Sequence, residues 1–107
     1  MKAIVRYIAE PVGKQEYKAD IYICIDIPFV PTIGTALQVT PGGEFVCVSG
    51  VYWSINAPDV LDIDTEDPDV LEPLERLLAE GWRVGDPAGM DWPELEQLEP
   101  TRDGRRK

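Results

Sequence analysis

The chain has 107 residues, of which 44% are hydrophobic and 28% are charged, and its formal net charge is −10. This length suits one domain with one core, and the hydrophobic content is sufficient for a folded chain. Twenty acidic residues against ten basic ones disfavour contact with phosphate backbones and anionic lipid. We therefore expect no direct binding to nucleic acid and none to a membrane.

Two further features bear on the cellular compartment. No apolar run reaches the roughly 18 residues of a membrane span, and the N-terminal segment is charged and alternating, unlike a signal peptide. The two cysteines, Cys24 and Cys47, are too few for a disulfide framework. We expect a cytoplasmic protein in which both cysteines are small buried hydrophobic residues, with a disulfide or redox pair as the alternative.

The first two predicted elements are strands. Residues 2–10 mix apolar and polar side chains and end at Pro11. Residues 17–27 alternate strictly, with isoleucines at 21, 23, 25 and 27 between Asp20, Tyr22, Cys24 and Asp26. This period of two predicts a strand with one buried face.

A hairpin is predicted after a change of direction. Two prolines and Gly34 within residues 28–34 cannot continue a central strand. Residues 35–40 then predict a strand, residues 41–43 a turn, and residues 44–55 the antiparallel partner with a bulge at Gly50. Residues 60–64 predict one more short strand, with Leu61 and Ile63 inside and Asp62 and Asp64 towards water.

The periodicity becomes helical between Pro68 and Gly81. An amphipathic helix is predicted to begin near position 69 or 70, with an aspartate at 67 or 69 as its cap and Pro73 in its first turn. Gly81 would end it, and Trp82 and Val84 would return to the core. Four leucines mark the buried side: Leu71, Leu74, Leu77 and Leu78.

These elements predict an α+β, mainly β fold: a small antiparallel curved sheet or partly open barrel of about five strands with one amphipathic helix. Residues 1–85 form the predicted domain. Residues 86–107 are rich in proline and glycine, first acidic and then basic, and are expected to be a flexible tail. Within the tail, Met90, Trp92, Leu95 and Leu98 suggest a short docked turn or a partner-binding segment.

Three features of residues 1–65 occur together: the alternating strand, the turn Ile27, Pro28, Phe29, Val30 and Pro31 with Gly34, and the hairpin residues Val48, Val51 and Trp53. In this combination the segment resembles uncharacterised small bacterial and phage-associated proteins. The resemblance implies a partly open β-barrel or strongly curved sheet, and it implies no activity and no functional residue. The present chain departs from that pattern by adding an acidic helix and a tail.

Motifs for catalysis and for cofactors are missing from the sequence. The chain has no histidine, which removes the commonest general base and metal ligand, and its glycine clusters lack the pattern of a phosphate-binding loop. A calcium loop starting at Asp62 would have Asp67 where glycine is needed and Pro73 where glutamate is needed. We therefore expect no catalytic residue, no cofactor and no metal.

Most of the excess negative charge lies in residues 59–80, which hold nine acids and one base. This predicts a non-enzymatic acidic module that binds a protein partner, with inhibition of a basic nucleic-acid-binding protein by phosphate mimicry as a sharper version. The candidate contact residues are Asp62, Asp64, Glu66, Asp69, Glu72, Phe29, Tyr52 and Trp92. The alternatives are a small structural subunit that assembles or dimerises through strand edges, and a carboxylate or metal-dependent enzyme using Asp62 and Asp64.

Overall fold

The computed structural model describes residues 1–10 and 18–85. In this part of the chain, the strands form one six-stranded, mixed and curled sheet in the order β3-β4-β5-β1-β2-β6, and a single short helix packs against it. The predicted α+β, mainly β class is confirmed. The elements are β1 Lys2–Ala9, β2 Ala19–Asp26, β3 Ala36–Gln38, β4 Phe45–Ser54, β5 Ala57–Thr65, α1 Leu74–Glu80 and β6 Arg83–Val84.

The pairing of β1 makes the sheet mixed. β1 pairs antiparallel with β2 and parallel with β5, with Lys2 opposite Asp26 on one side and opposite Val60 on the other. Two parallel neighbours must be joined by a long connection. Here the chain passes through β2, β3 and β4 after it leaves β1 and before it enters β5. The antiparallel arrangement expected from the sequence therefore fails at this one pairing.

The core lies on one face of the sheet and confirms the alternation predicted for β2. Ile21 is 1% exposed, and Ile23 and Ile25 pack against the same cluster. The leucines of α1 at 74, 77 and 78 close this face. Tyr22 is also buried, on the opposite face, where it forms a small second cluster with Ile4.

The predicted hairpin and its bulge are both confirmed. β3 pairs antiparallel with β4, with Ala36 opposite Cys47 and Gln38 opposite Phe45. The register between β4 and β5 shifts between Val48 and Gly50, as a bulge requires.

The helix is shorter than predicted, and its first turn differs. Pro73 is the N-cap residue, with φ −59° and ψ 134°, and no side chain caps the helix. The preceding backbone is held extended because Glu10 N–H donates to Glu72 O at 2.8 Å and Leu74 N–H donates to Glu10 O at 3.1 Å. The backbone at Glu72 and Pro73 therefore cannot wind into the helix, which begins only at Leu74, and the predicted aspartate cap is wrong.

The end of the helix agrees with the prediction. Gly81 has φ 112°, its own N–H donates to Leu78 O at 3.1 Å, and the Trp82 N–H donates to Leu77 O at 3.1 Å. Trp82 is 2% exposed and its ring centroid lies 5.6 Å from that of Tyr7. Val84 then joins the core as part of β6, a two-residue strand that the sequence did not predict.

The predicted tail, 86–107, lies outside the described residues, as does its Trp92. No helix in residues 1–10 and 18–85 is long and apolar enough to cross a membrane.

Candidate interaction surface

The face of the sheet opposite the core carries the acidic pair predicted on β5. We call it the outer face and define it by Ile4, Arg6, Tyr22, Asp62 and Asp64. Arg6 Nη1 lies 2.9 Å from Asp62 Oδ1 and 3.8 Å from Asp64 Oδ1, and the two carboxylate side chains are 41% and 43% exposed. The structure thus brings this pair together at the surface, with one cation that offsets part of its charge.

An open depression of about 240 Å³ lies beside Arg6 on the outer face. Its lining includes three carboxylates, of Asp20, Asp64 and Asp67, and Lys18 Nζ lies 3.3 Å from Asp67 Oδ2. The depression is therefore polar and mainly acidic, a suitable environment for the cationic side chain of a partner.

The other predicted acids are spread out. Glu66 and Asp69 are exposed beyond the end of β5. Glu72 lies just before α1, where Arg76 Nη1 contacts its carboxylate at 2.7 Å and its side chain is only 24% exposed. Glu72 therefore presents less free charge to a partner than Asp62 or Asp64.

Two aromatic residues near the end of β4 are both exposed, Tyr52 by 57% and Trp53 by 58%. Tyr52 lies opposite Asp62 and so shares the outer face, while Trp53 lies opposite Leu61 on the core side. Neither ring therefore lies in the core, although the two residues belong to opposite faces of one strand. The reason is that every residue from 52 to 59 is exposed, so the tip of the β4–β5 hairpin projects beyond the rest of the sheet.

We call residues 52–59 the hairpin tip. Its turn holds Ile55, which is 80% exposed, and the Ser54 hydroxyl accepts the Asn56 N–H at 3.1 Å. The Trp53 indole N–H donates to the Pro58 carbonyl at 2.9 Å. Of this tip only Tyr52 was named as a contact residue from the sequence, although Asn56 and Pro58 after an aromatic pair are a recognisable turn signal.

Phe29, the remaining described candidate, is 50% exposed. It follows Ile27, whose N–H donates to Met1 O while its carbonyl accepts from the Met1 ammonium. Phe29 thus lies near the N-terminal end of β1.

The cysteines do not form a pair. Neither is part of a disulfide and both are partly exposed, with Cys24 on β2 and Cys47 on β4. Because β1 and β5 lie between those strands, the separation is about three strand spacings, or roughly 14 Å, far beyond disulfide reach. A hydrogen bond with Glu66, followed by desolvation, raises the pKa of the Cys47 thiol, which disfavours its reactive thiolate. The expectation that both are buried is wrong, because each is only partly buried.

No cluster of three or more potential metal ligands occurs within the described ranges. Every buried side-chain nitrogen or oxygen in those ranges has a hydrogen-bond partner. At the surface, the described residues present the carboxylates of β5 and the exposed aromatic side chains at the end of β4.

Comparison of the chain with protein-family models, with curated proteins and with solved structures gives no match.

Proposed function

We propose that the chain is a non-enzymatic acidic interaction module that binds a basic protein partner through its outer face. One observation carries the proposal: Asp62 and Asp64 are exposed on a strand whose neighbour presents exposed Tyr52 directly opposite Asp62. Carboxylates beside an aromatic side chain are a suitable recognition surface for Lys and Arg, because charge steers encounter and the ring adds apolar contact.

The charge of the whole chain supports the same partner class. A net charge of −10 attracts basic surfaces over a distance set by the ionic strength. Inhibition of a basic nucleic-acid-binding protein is the sharper form of the proposal, since a row of carboxylates can occupy a site built for phosphates.

The test is capture of partners from a lysate on the immobilised chain at about 0.1 M and about 1 M salt, between which the Debye length falls from about 10 Å to about 3 Å. We expect a basic protein that is retained at low salt and released at high salt. Once that protein is purified, its affinity is measured for two triple variants.

The first variant is Asp62→Asn with Asp64→Asn and Glu66→Gln. The matched control neutralises exposed acids on other parts of the chain: Glu10→Gln, Glu44→Gln and Glu75→Gln. Each removes three charges and takes the net charge from −10 to −7. A greater loss of affinity in the first variant supports the outer face, whereas equal losses, or none, contradict it.

A further inference from the structure

The hairpin tip lies at the same end of the sheet as several other exposed apolar residues. Lys2 pairs with Val60 and with Asp26, so the start of β1, the start of β5 and the end of β2 all lie at this end. Trp53 pairs with Leu61 and places the end of β4 there too. Six exposed apolar side chains therefore share this end: Met1, Phe29, Val30, Tyr52, Trp53 and Ile55.

The helix covers the other end of the sheet. Glu80 of α1 accepts a hydrogen bond from Thr40, beside the β3–β4 turn, and residues 72–74 bond to Glu10 beyond the end of β1. Both ends of α1 thus contact this end of the sheet, and the seven-residue helix spans only about 10 Å, so it does not reach the end with the hairpin tip.

Two aromatic side chains of the tip are held in place before any partner arrives. Trp53 is fixed by its bond to the Pro58 carbonyl. The Tyr52 ring lies over Gly50, so closely that a Cβ at position 50 would be 2.8 Å from the Tyr52 hydroxyl oxygen. Trp and Tyr dominate the binding energy of protein interfaces, and fixed side chains lose less conformational entropy on binding.

The charge around this end of the sheet indicates which kind of binding partner fits it. Asp26 and Asp59 are exposed at its rim, and Asp62 lies beside Tyr52. A second copy would bring two chains of net charge −10 together, and anionic lipid would be repelled in the same way. A protein segment whose apolar side chains are flanked by Lys or Arg suits both the apolar and the acidic parts.

We propose that the hairpin tip, with Phe29 and Val30, docks such a basic, apolar segment of a protein partner. This inference rests on the proposed function and adds a division of roles. The outer face sets the rate of encounter, and the apolar end sets the lifetime of the complex.

The test uses the ¹⁵N-labelled full chain and a synthetic peptide in which Leu and Phe alternate with Lys and Arg. Two matched peptides replace either the apolar residues by Ser or the basic residues by Glu. We expect the first peptide alone to shift the Trp53 indole resonance and the backbone amides of residues 52–57 and Asp59.

Variants then test whether the tip carries the affinity. Ile55→Ser and Trp53→Ser should each weaken binding by about tenfold or more, as truncation of a central interface residue does. The control is Phe45→Ser, which removes a 65% exposed side chain at the opposite end of β4. Ile55 is 80% exposed, so its variant tests docking without a folding defect.

The inference is overturned by shifts that map away from the tip, by equal binding of the Ser-substituted peptide or by an equal loss in Phe45→Ser. Concentration-dependent tip shifts without peptide, which would indicate a second copy, also overturn it. Failure of the inference is distinguishable from failure of the proposed function. If the lysate partner depends on Asp62, Asp64 and Glu66 but not on the tip, only the inference falls. If the Glu-containing peptide binds as well as the basic one, the charge-based function falls too.

Discussion

Thr40 connects the β3–β4 turn to the helix and provides a quantitative test of the fold. It is 6% exposed, and its Oγ1 donates to Glu80 Oε1 at 3.1 Å. A hydrogen bond to a charged group contributes about 1.5–3 kcal/mol. Glu80 would keep its contact with Arg76 at 3.5 Å and is 20% exposed, so water partly replaces the lost donor. For Thr40→Val we therefore expect a loss of about 1–2 kcal/mol in the free energy of unfolding.

Urea denaturation measures this loss directly, and thermal unfolding should show a decrease of about 4–8 °C for each kcal/mol. Thr32→Val is the matched control, because the Thr32 hydroxyl is exposed and its change should stay within about 0.5 kcal/mol. If Thr40→Val costs no more than Thr32→Val, the link between the turn and the helix contributes nothing and the reasoning is refuted.

Gly43→Ala tests the same hydrogen bond between Thr40 and Glu80 by placing a methyl group against it. A Cβ at position 43 would collide with Thr40 Oγ1 and lie 2.9 Å from Glu80 Oε1, so the hydrogen bond would be displaced. Because both substitutions remove one interaction, the double variant with Thr40→Val should lose less stability than the sum of the single losses. Strict additivity would show that Gly43 acts independently of the bond.

Three further predictions concern single side chains. Desolvation raises the pKa of Tyr22 above 10.0, although Arg83 opposes the shift. The stability that the neutral Tyr22 side chain contributes is therefore complete below pH 10.0 and is lost as pH rises through the raised pKa of the folded state. The free energy of unfolding should therefore fall with rising pH in an alkaline denaturation series, with at most about 1.4 kcal/mol per pH unit coming from this group. Tyr22→Phe should remove that part of the slope, and an unchanged slope contradicts the prediction. Gly50→Ala should displace the Tyr52 ring and so shift its ring resonances in NMR spectra. The free energy of unfolding should change by no more than about 1 kcal/mol, because that ring is exposed. Unshifted ring resonances would show that the close approach between Gly50 and Tyr52 does not position the ring. Since Glu66 raises the pKa of the Cys47 thiol, Glu66→Gln should speed the alkylation of Cys47 by iodoacetamide at about pH 8.5, with the reaction monitored by mass spectrometry. An equal or slower rate would mean that Glu66 does not control the reactivity of the thiol.

Which parts of the candidate surface could be predicted depends on how far apart in the sequence the contacting residues lie. Asp62 and Asp64 could be placed on one exposed face of a strand from the alternation of residues 60–64 alone. Their cation, Arg6, is 56 positions away from Asp62 and becomes a neighbour only through the parallel pairing of β1 and β5. Nothing local in the sequence signals that contact.

The sequence by itself determined the mainly β character, the buried face of β2, the hairpin with its bulge at Gly50 and the end of the helix at Gly81. Each of these depends on periodicity or on the backbone preferences of single residues, which act over a few positions. Only the tertiary structure decided that Glu10 would hold residues 72–74 extended and delay the helix. The same long-range pairing left residues 52–59 projecting from the sheet, because burial depends on which elements pack nearby and not on a strand's own pattern.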